Sequence, residues 1–274
     1  RPDLFFSPGP NVPPWLPTPY VLTLHDLIPL YFPGRRRFLK YVYFTYLVKP
    51  AVRKARCVIT VSEFSKRQIL EWAGLKEERV HVVRNGVSAR FRPDGPRKSV
   101  GCPFLLYVGS YKAHKNLRRV LTAFKMSALP KEVALVLSGG GDGALRRIVR
   151  RLGLQDRVRF AGTLPEDELA SWYRGATAVI LASLMEGFGL PALEAMACGT
   201  PVVVSRAGGL PETVGDAGLY VDPYDVGSIA GGMERIVLDE TLRAQLTERG
   251  LERAKGFSWD RTAAQVIRAL QESC

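Results

Sequence analysis

From Ala178 to Ser205 the chain reads AVILASLMEGFGLPALEAMACGTPVVVS. An apolar run, AVILAS, leads into a glycine loop, a helix-forming stretch, a turn and a second apolar run, PVVVS. Strand, helix and strand alternate in this way over most of the 274 residues. Such alternation leads to an α/β fold with parallel sheets. Within the loop, Gly187 and Gly189 let the backbone approach a ligand and take positive φ. Leu190 and Pro191 open LPALEAMA, a good helix former with Pro near its first turn. The N–H groups at such a helix start form an anion site suited to a diphosphate. Glu186 and Glu194 stand eight residues apart around this loop, and either can accept hydrogen bonds from hydroxyls. An anion cradle between two hydroxyl acceptors fits a nucleotide-sugar: sugar, diphosphate, ribose. The plainer alternative is two solvated glutamates around a turn.

The segment resembles the E-x7-E signature of glycosyltransferase family 4, retaining enzymes of the GT-B fold. The resemblance implies that Glu186 lies by the donor-sugar hydroxyls and that Glu194 binds the ribose. It places the loop of Gly187, Phe188, Gly189 and Leu190 near the diphosphate and sugar. The stretch YVGSYKAHKN (107–116) ends a strand and opens a helix, with Asn116 as a cap. A cation there, Lys115, would neutralise the charge that builds on a leaving diphosphate. Family members hold Gly-Arg or Gly-Thr here, followed by Lys-Asn or Lys-Gly. Gly109 and Lys115 match; Ser110 takes the Arg position, with Lys112 or His114 as substitute cations. His25, in TLHDLIPL, resembles the interdomain-loop His that faces the donor sugar in members handling sugars such as mannose. The resemblance also sets Thr163 and Leu164 where the base meets backbone groups. The catalytic set implied is therefore His25, Glu186 and Lys115.

Strands are expected in DLFFS, YVLTLHD, CVITVS and RVHVV, with helices at about 36–54 and 63–73. FRPDGPRKSVGCP (91–103) reads as a linker. Beyond it FLLYVGS, VALVLSG, RVRFAG, AVILAS, PVVVS and LYVDP give a complete six-strand doubly wound unit, followed by helices 226–238, 240–254 and about 260–272. The expected fold is α/β, GT-B-like, with two Rossmann-like doubly wound parallel-sheet domains. Residues 1–95 form a partial acceptor-side domain and 96–258 the nucleotide-sugar domain. Residues 259–274 form a helix returning toward the first. The strand and glycine-rich loop that open a family member have no match, so the N-terminal domain is expected to be incomplete. Its bare sheet edge is expected to pair with a second copy or to be covered by 35–56 or a membrane.

The formal charge of +13 is one-sided. Residues 1–119 carry 22 Lys+Arg against 7 Asp+Glu, and the remainder 17 against 19. Such a field suits an acidic partner. RRRFLKYVYFTYLVKPAVRKAR (35–56) is basic and aromatic, which fits either a packed helix with solvated ends or an anionic membrane surface. Nucleic acid is disfavoured, since no known binding motif appears. No apolar run reaches the ~18 residues of a membrane span, and the four cysteines have no C-x-x-C spacing. A cytoplasmic protein is expected, with peripheral attachment at the inner membrane face as an option left open by 35–56. SGGGDGA (138–144) contains G-x-G-x-x-A, but no acid ends the next strand as a bound dinucleotide requires. No D-x-D, no Cys/His cluster and no G-x-S-x-G is present, so no metal, no cofactor and no serine hydrolysis is expected. The reading is a metal-independent transfer of a hexose from a donor of the GDP-mannose or UDP-glucose class to an unknown hydroxyl acceptor. Two alternatives stand beside it: a nucleotide-sugar-binding module with little transfer, and a basic membrane or polyanion binder.

Overall fold

The computed structural model describes residues 2–32 and 34–273. The chain divides into two compact units. The first comprises residues 1–86, 185–188 and 257–274, and the second 87–184 and 189–256. Both are α/β units built on parallel sheets, as the alternation of apolar runs and helix formers requires.

The first unit begins with β1 (Phe5–Ser7), β2 (Tyr20–Thr23), α1 (Ile28–Tyr31) and α2 (Arg37–Tyr43), then a π-helical turn, Phe44–Val48. It continues with α3 (Lys49–Lys54), β3 (Cys57–Thr60), α4 (Glu63–Ala73) and β4 (Val80–Val82). The four strands are parallel in the order β1-β2-β3-β4. Side chains alternate across the sheet. Leu22 and Val58 join Phe44, Val48, Ala51, Val52 and Ile69 in one core, while Val21, Cys57 and Ile59 face the other way. The continuous helix expected over 36–54 is broken by the π turn, where the Lys49 amide bonds back to the Phe44 carbonyl. Pro50 is the physical reason, because it has no N–H to give the preceding turn and distorts the ladder there. Ser62 caps α4, its hydroxyl accepting from the Ser65 amide at 3.1 Å.

The second unit runs β5 (Phe104–Tyr107), α5 (Leu117–Met126), β6 (Ala134–Leu137), α6 (Gly143–Arg151), β7 (Val158–Phe160), α7 (Glu166–Gly175) and β8 (Ala178–Leu181). Then come α8 (Leu190–Ala197), β9 (Val202–Ser205), α9 (Leu210–Val214), β10 (Gly218–Val221), α10 (Val226–Leu238) and α11 (Glu240–Ala254). All six strands are parallel, in the order β10-β9-β8-β5-β6-β7. The four central strands, β5, β6, β8 and β9, are buried at every position. Strands covered on both faces have this uninterrupted apolar character. The last helix, α12 (Trp259–Gln271), belongs to the first unit, where Ala269, Val266 and Leu270 pack on Val21, Cys57 and Ile59. Cys57, Cys102 and Cys198 are free thiols; Cys274 lies outside the described residues.

The segment that reads as a linker is bound to α7. Arg174 donates to the Pro96 and Arg92 carbonyls at 2.8 and 3.1 Å. The Lys98 amide donates to the Ser171 carbonyl at 2.9 Å. Proline and glycine mark an irregular path here but say nothing of what holds it. Gly175 makes the close approach possible: a Cβ there would lie 2.0 Å from the Lys98 carbonyl oxygen, a backbone atom that cannot swing aside. Gly175→Ala should therefore cost about 1–3 kcal/mol by overpacking. Calorimetry should show the second unit melting several degrees lower, and an unchanged melt would mean the segment is not tied down as described.

Candidate active site

In the second unit the strand order reverses between β5 and β8. Chains leaving adjacent strands for opposite faces open a crevice at their carboxyl ends. Most of the residues singled out in this unit follow those strand ends. Gly109 comes two residues after β5, in a backbone conformation (φ +149°) that favours glycine. The Lys115 side chain runs across it, with Cε 3.7 Å and Nζ 3.9 Å from where a Cβ would stand. The Gly109 amide donates to the Ser138 hydroxyl at 3.0 Å, and the Tyr111 hydroxyl to the Ser138 carbonyl at 2.6 Å. Ser110 is exposed, and its carbonyl accepts from the Tyr107 hydroxyl at 3.0 Å. The loop after β6 is bridged to the loop after β7 through Gly139 and Gly162, which brings Thr163 and Leu164 to the same edge.

Asn116 does not cap α5 with its side chain, contrary to the sequence expectation. Its backbone is left-handed, with φ +59°. Its amide donates instead to the Ala182 and Pro223 carbonyls, at 2.9 and 2.7 Å. The side chain satisfies two buried carbonyls of distant loops, a larger gain than one exposed cap. The His114 carbonyl accepts from the Leu184 amide at 2.7 Å, so the loops after β5 and β8 are tied together twice.

The β8–α8 connection passes through both units. Ser183 and Leu184 belong to the second, Met185–Phe188 to the first, and Gly189 onward again to the second. In the first unit Glu186 is buried, at 7% exposure. Gly187 lies against Asp26, where a Cβ would stand 2.8 Å from the carboxylate Oδ2. Asp26 Oδ1 accepts from the Ile28 amide at 2.9 Å, which fixes the turn after His25. His25 itself is exposed, and its carbonyl accepts from the Thr60 hydroxyl at 3.1 Å. The first unit thus gathers His25, Asp26, Glu186, Gly187 and Phe188. Phe188 meets Phe257 edge-on, ring centroids 5.9 Å apart.

In the second unit α8 starts at Gly189 (φ +96°) with no side-chain cap, and Pro191 stands in its first turn. A Cβ on Gly189 would meet Leu210 Cδ2 at 2.5 Å, so only glycine fits. Glu194 is four residues past Leu190. Side chains on a helix tilt toward its N-terminus, so Glu194 points back along α8 toward its start. The Tyr173 hydroxyl, from α7, donates to Glu194 Oε2 at 2.8 Å. Burial pushes the Glu194 carboxyl above its ordinary value, the Tyr173 bond offsets part of this, and the Glu166 charge adds to it. Burial, and then the Glu194 charge, hold the Tyr173 hydroxyl well above its ordinary value, so it remains a donor. Neither Tyr173 nor Asn116's cross-link is legible in sequence, because both depend on partners at unrelated positions in the chain. Among the described residues no group of His, Cys, Asp and Glu could hold a metal ion.

The family model described as "Glycosyl transferases group 1" matches residues 92–253, and "Glycosyltransferase Family 4" matches residues 1–91. O-antigen chain mannosyltransferase B of Escherichia coli is 34% identical over 269 residues, covering 91% of this chain and 69% of that protein. D-inositol 3-phosphate glycosyltransferase of Acidothermus cellulolyticus is 36% identical over 238 residues, covering 79% of this chain and 53% of that protein. The chain thus spans from about half to about seven tenths of the length of these relatives. Among solved structures, sucrose-phosphate synthase from Thermosynechococcus elongatus superposes with a TM-score of 0.81 at 25% identity, covering 98% of this chain and 73% of that one. Anabaena HepE, in complex with UDP and glucose, superposes with a TM-score of 0.78 at 23% identity, over 93% of this chain and 72% of that one. The chain belongs to the family 4 glycosyltransferases of the GT-B fold.

The raised Glu194 carboxyl has a consequence for stability. Its folded-state pKa lies above the unfolded value of about 4.3. Between the two the folded unit binds more protons than the unfolded chain, so stability falls as pH rises through that window. Glu194→Gln keeps an acceptor for Tyr173 and removes the buried charge. Calorimetry over pH 4–7 should show the variant melting higher than wild type at pH 7, with a flatter profile. A lower melting temperature at pH 7 would mean the carboxylate is better solvated than its burial implies.

Proposed function

We propose that the chain transfers a hexose from a nucleotide-sugar to a hydroxyl acceptor, with retention and without a metal. The observation that supports this most is at α8: a helix start with no side-chain cap, and Glu194 held by Tyr173 one turn further in. Oriented N–H groups at a helix start favour an anion. A carboxylate fixed on one oxygen by a tyrosine keeps lone pairs for a diol. On this reading the α8 start and Lys115 hold the diphosphate, Glu194 the ribose, and Thr163 and Leu164 the base. Glu186 and His25 serve the sugar. The glycosidic C–O bond to phosphate breaks and the diphosphate leaves with the electron pair. The acceptor hydroxyl bonds to the same carbon on the same face, and its proton passes to the departing phosphate oxygen. Lys115 and the Phe188–Leu190 amides stabilise the leaving charge. One relative is named as a mannosyltransferase, and the Anabaena protein that shares the fold is in complex with UDP and glucose; these support a hexose donor of the GDP-mannose or UDP-glucose class.

One feature favours a weaker enzyme or a binding module. By the family resemblance Ser110 stands where the pattern has Arg or Thr, and its side chain cannot neutralise phosphate as an Arg would. Phosphorus NMR of nucleoside diphosphate release from UDP-glucose or GDP-mannose separates the two. Release should proceed equally in excess chelator and in added Mg²⁺. Nucleotide binding without any release would leave the binding module; loss of release in chelator would reveal a metal requirement.

The two glutamates should separate by role. Glu194→Ala loses an ionic acceptor for ribose hydroxyls, worth about 1.5–3 kcal/mol, or roughly tenfold to hundredfold in nucleoside diphosphate affinity. Glu186→Ala should leave that affinity near wild type and abolish most sugar release. Titration calorimetry with the free diphosphate reads the first and the release assay the second. Equal affinity in wild type and Glu194→Ala would remove the ribose assignment.

A further inference from the structure

From Leu27 to Ser62 the sequence holds eight cations, Arg35, Arg36, Arg37, Lys40, Lys49, Arg53, Lys54 and Arg56, and no carboxylate. Most of the cations toward the α3 end are engaged inside the first unit. Arg53 and Lys54 donate to the Ala73 and Leu16 carbonyls at 2.7 and 3.0 Å, and Lys49 lies 5.6 Å over the Trp72 ring. The cations at the α2 end have a different setting. Arg36 and Arg37 are exposed, Lys40 is half-buried, and none of the three has a carboxylate partner among the described residues.

The same stretch exposes large apolar side chains. Phe38 is 75% exposed, Leu39 63%, and Tyr41 and Tyr46 60% and 67%. Leu47 is exposed as well. Single exposed apolar residues need no explanation, but five within ten positions of one helical stretch do. The first turn of α2 is exposed all round, from Arg36 to Leu39. The second half of the stretch is anchored in the core by Phe44, Val48, Ala51 and Val52. A helical stretch anchored in the core at one end therefore exposes aromatic and aliphatic side chains next in sequence to Arg36, Arg37 and Lys40.

We infer that residues 36–47 form a docking surface for an anionic lipid bilayer. Phenylalanine and leucine enter the boundary between headgroups and chains, and tyrosines sit at its polar level. Arginine and lysine meet lipid phosphates while their stems lie along the apolar layer. Charge complementarity favours this occupant: the segment has no acid to repel phosphate, and the aliphatic Leu39 and Leu47 suit a lipid phase. Nucleic acid would ask instead for stacking rings in a basic groove. No helix among the described residues is long and apolar enough to cross a membrane, so any attachment through this segment is to one face.

The test is co-sedimentation of the full chain with vesicles of phosphatidylcholine containing about one third phosphatidylglycerol, and with pure phosphatidylcholine vesicles. Binding should occur on the anionic vesicles and weaken with salt. Each cation near an anionic surface strengthens binding about fivefold, so Arg36→Ala, Arg37→Ala and Lys40→Ala together should weaken it by roughly a hundredfold. Phe38→Ser with Leu39→Ser should weaken it too, with the melting temperature of the chain unchanged in both variants. Absence of binding to anionic vesicles would overturn the inference, as would binding that both variants retain. Self-association in lipid-free buffer that Phe38→Ser abolishes would also overturn it, by assigning the patch to a second copy. Competition by single-stranded DNA at equal phosphate concentration, with no loss in Phe38→Ser, would overturn it in favour of polyanion binding.

Discussion

The reversal of strand order between β5 and β8 is the constraint on which the second unit's chemistry depends. Parallel strands put every strand-to-helix loop on one edge, and the reversal sends the loops after β5 and β8 apart. Polar groups can then stand over a buried sheet without interrupting it. The placement of the two loops over the sheet has to be fixed. Hydrogen bonds do this: Asn116 to the Ala182 and Pro223 carbonyls, Leu184 to the His114 carbonyl, and Ser205 to the Ser183 carbonyl at 2.5 Å. The same edge carries the uncapped start of α8 and the carboxylate one turn into it.

Glycines and buried polar pairs are the means by which this edge is shaped. Gly109 clears a path for Lys115, and Gly189 fits against Leu210. Tyr173 and Glu194 show the cost of such shaping. Burial opposes the charged form of Glu194, yet a ribose acceptor is most useful ionised. The tyrosine bond lowers that penalty without removing it, so the site is held at some expense in stability.

Much of this was legible in the sequence, and the remainder was not for identifiable reasons. Short apolar or alternating stretches placed the ten strands of the described residues, and the central ones, buried on both faces, read as unbroken apolar runs. Helices α10 and α11 have the bounds expected from sequence, 226–238 and 240–254. The paired glutamates and their glycine loop were legible because their spacing is local. Long-range partners leave no local trace. Asn116 resembles a cap from its neighbours, but carbonyls 66 and 107 positions away decide its role. Tyr173 reads as an ordinary core aromatic. Residues 91–103 read as a free connector, since Pro and Gly report irregular backbone and not the Arg174 guanidinium that binds it. The π turn at Phe44–Val48 leaves no trace in the apolar pattern of 36–54, because it depends on which carbonyls the backbone amides before Pro50 reach.

The central claim is that the second unit holds the diphosphate and ribose of a nucleotide-sugar. A ligand that binds only the folded state raises its melting temperature, by about 2.7 kcal/mol of stability at a hundred times its Kd. Thermal unfolding of the chain with UDP, GDP and ADP in turn tests the claim most directly. The account predicts that at least one diphosphate raises the melting temperature by several degrees. It also predicts that Lys115→Ala and Glu194→Ala together abolish the rise. No rise with any of the three, or a rise that the double variant retains in full, would contradict it.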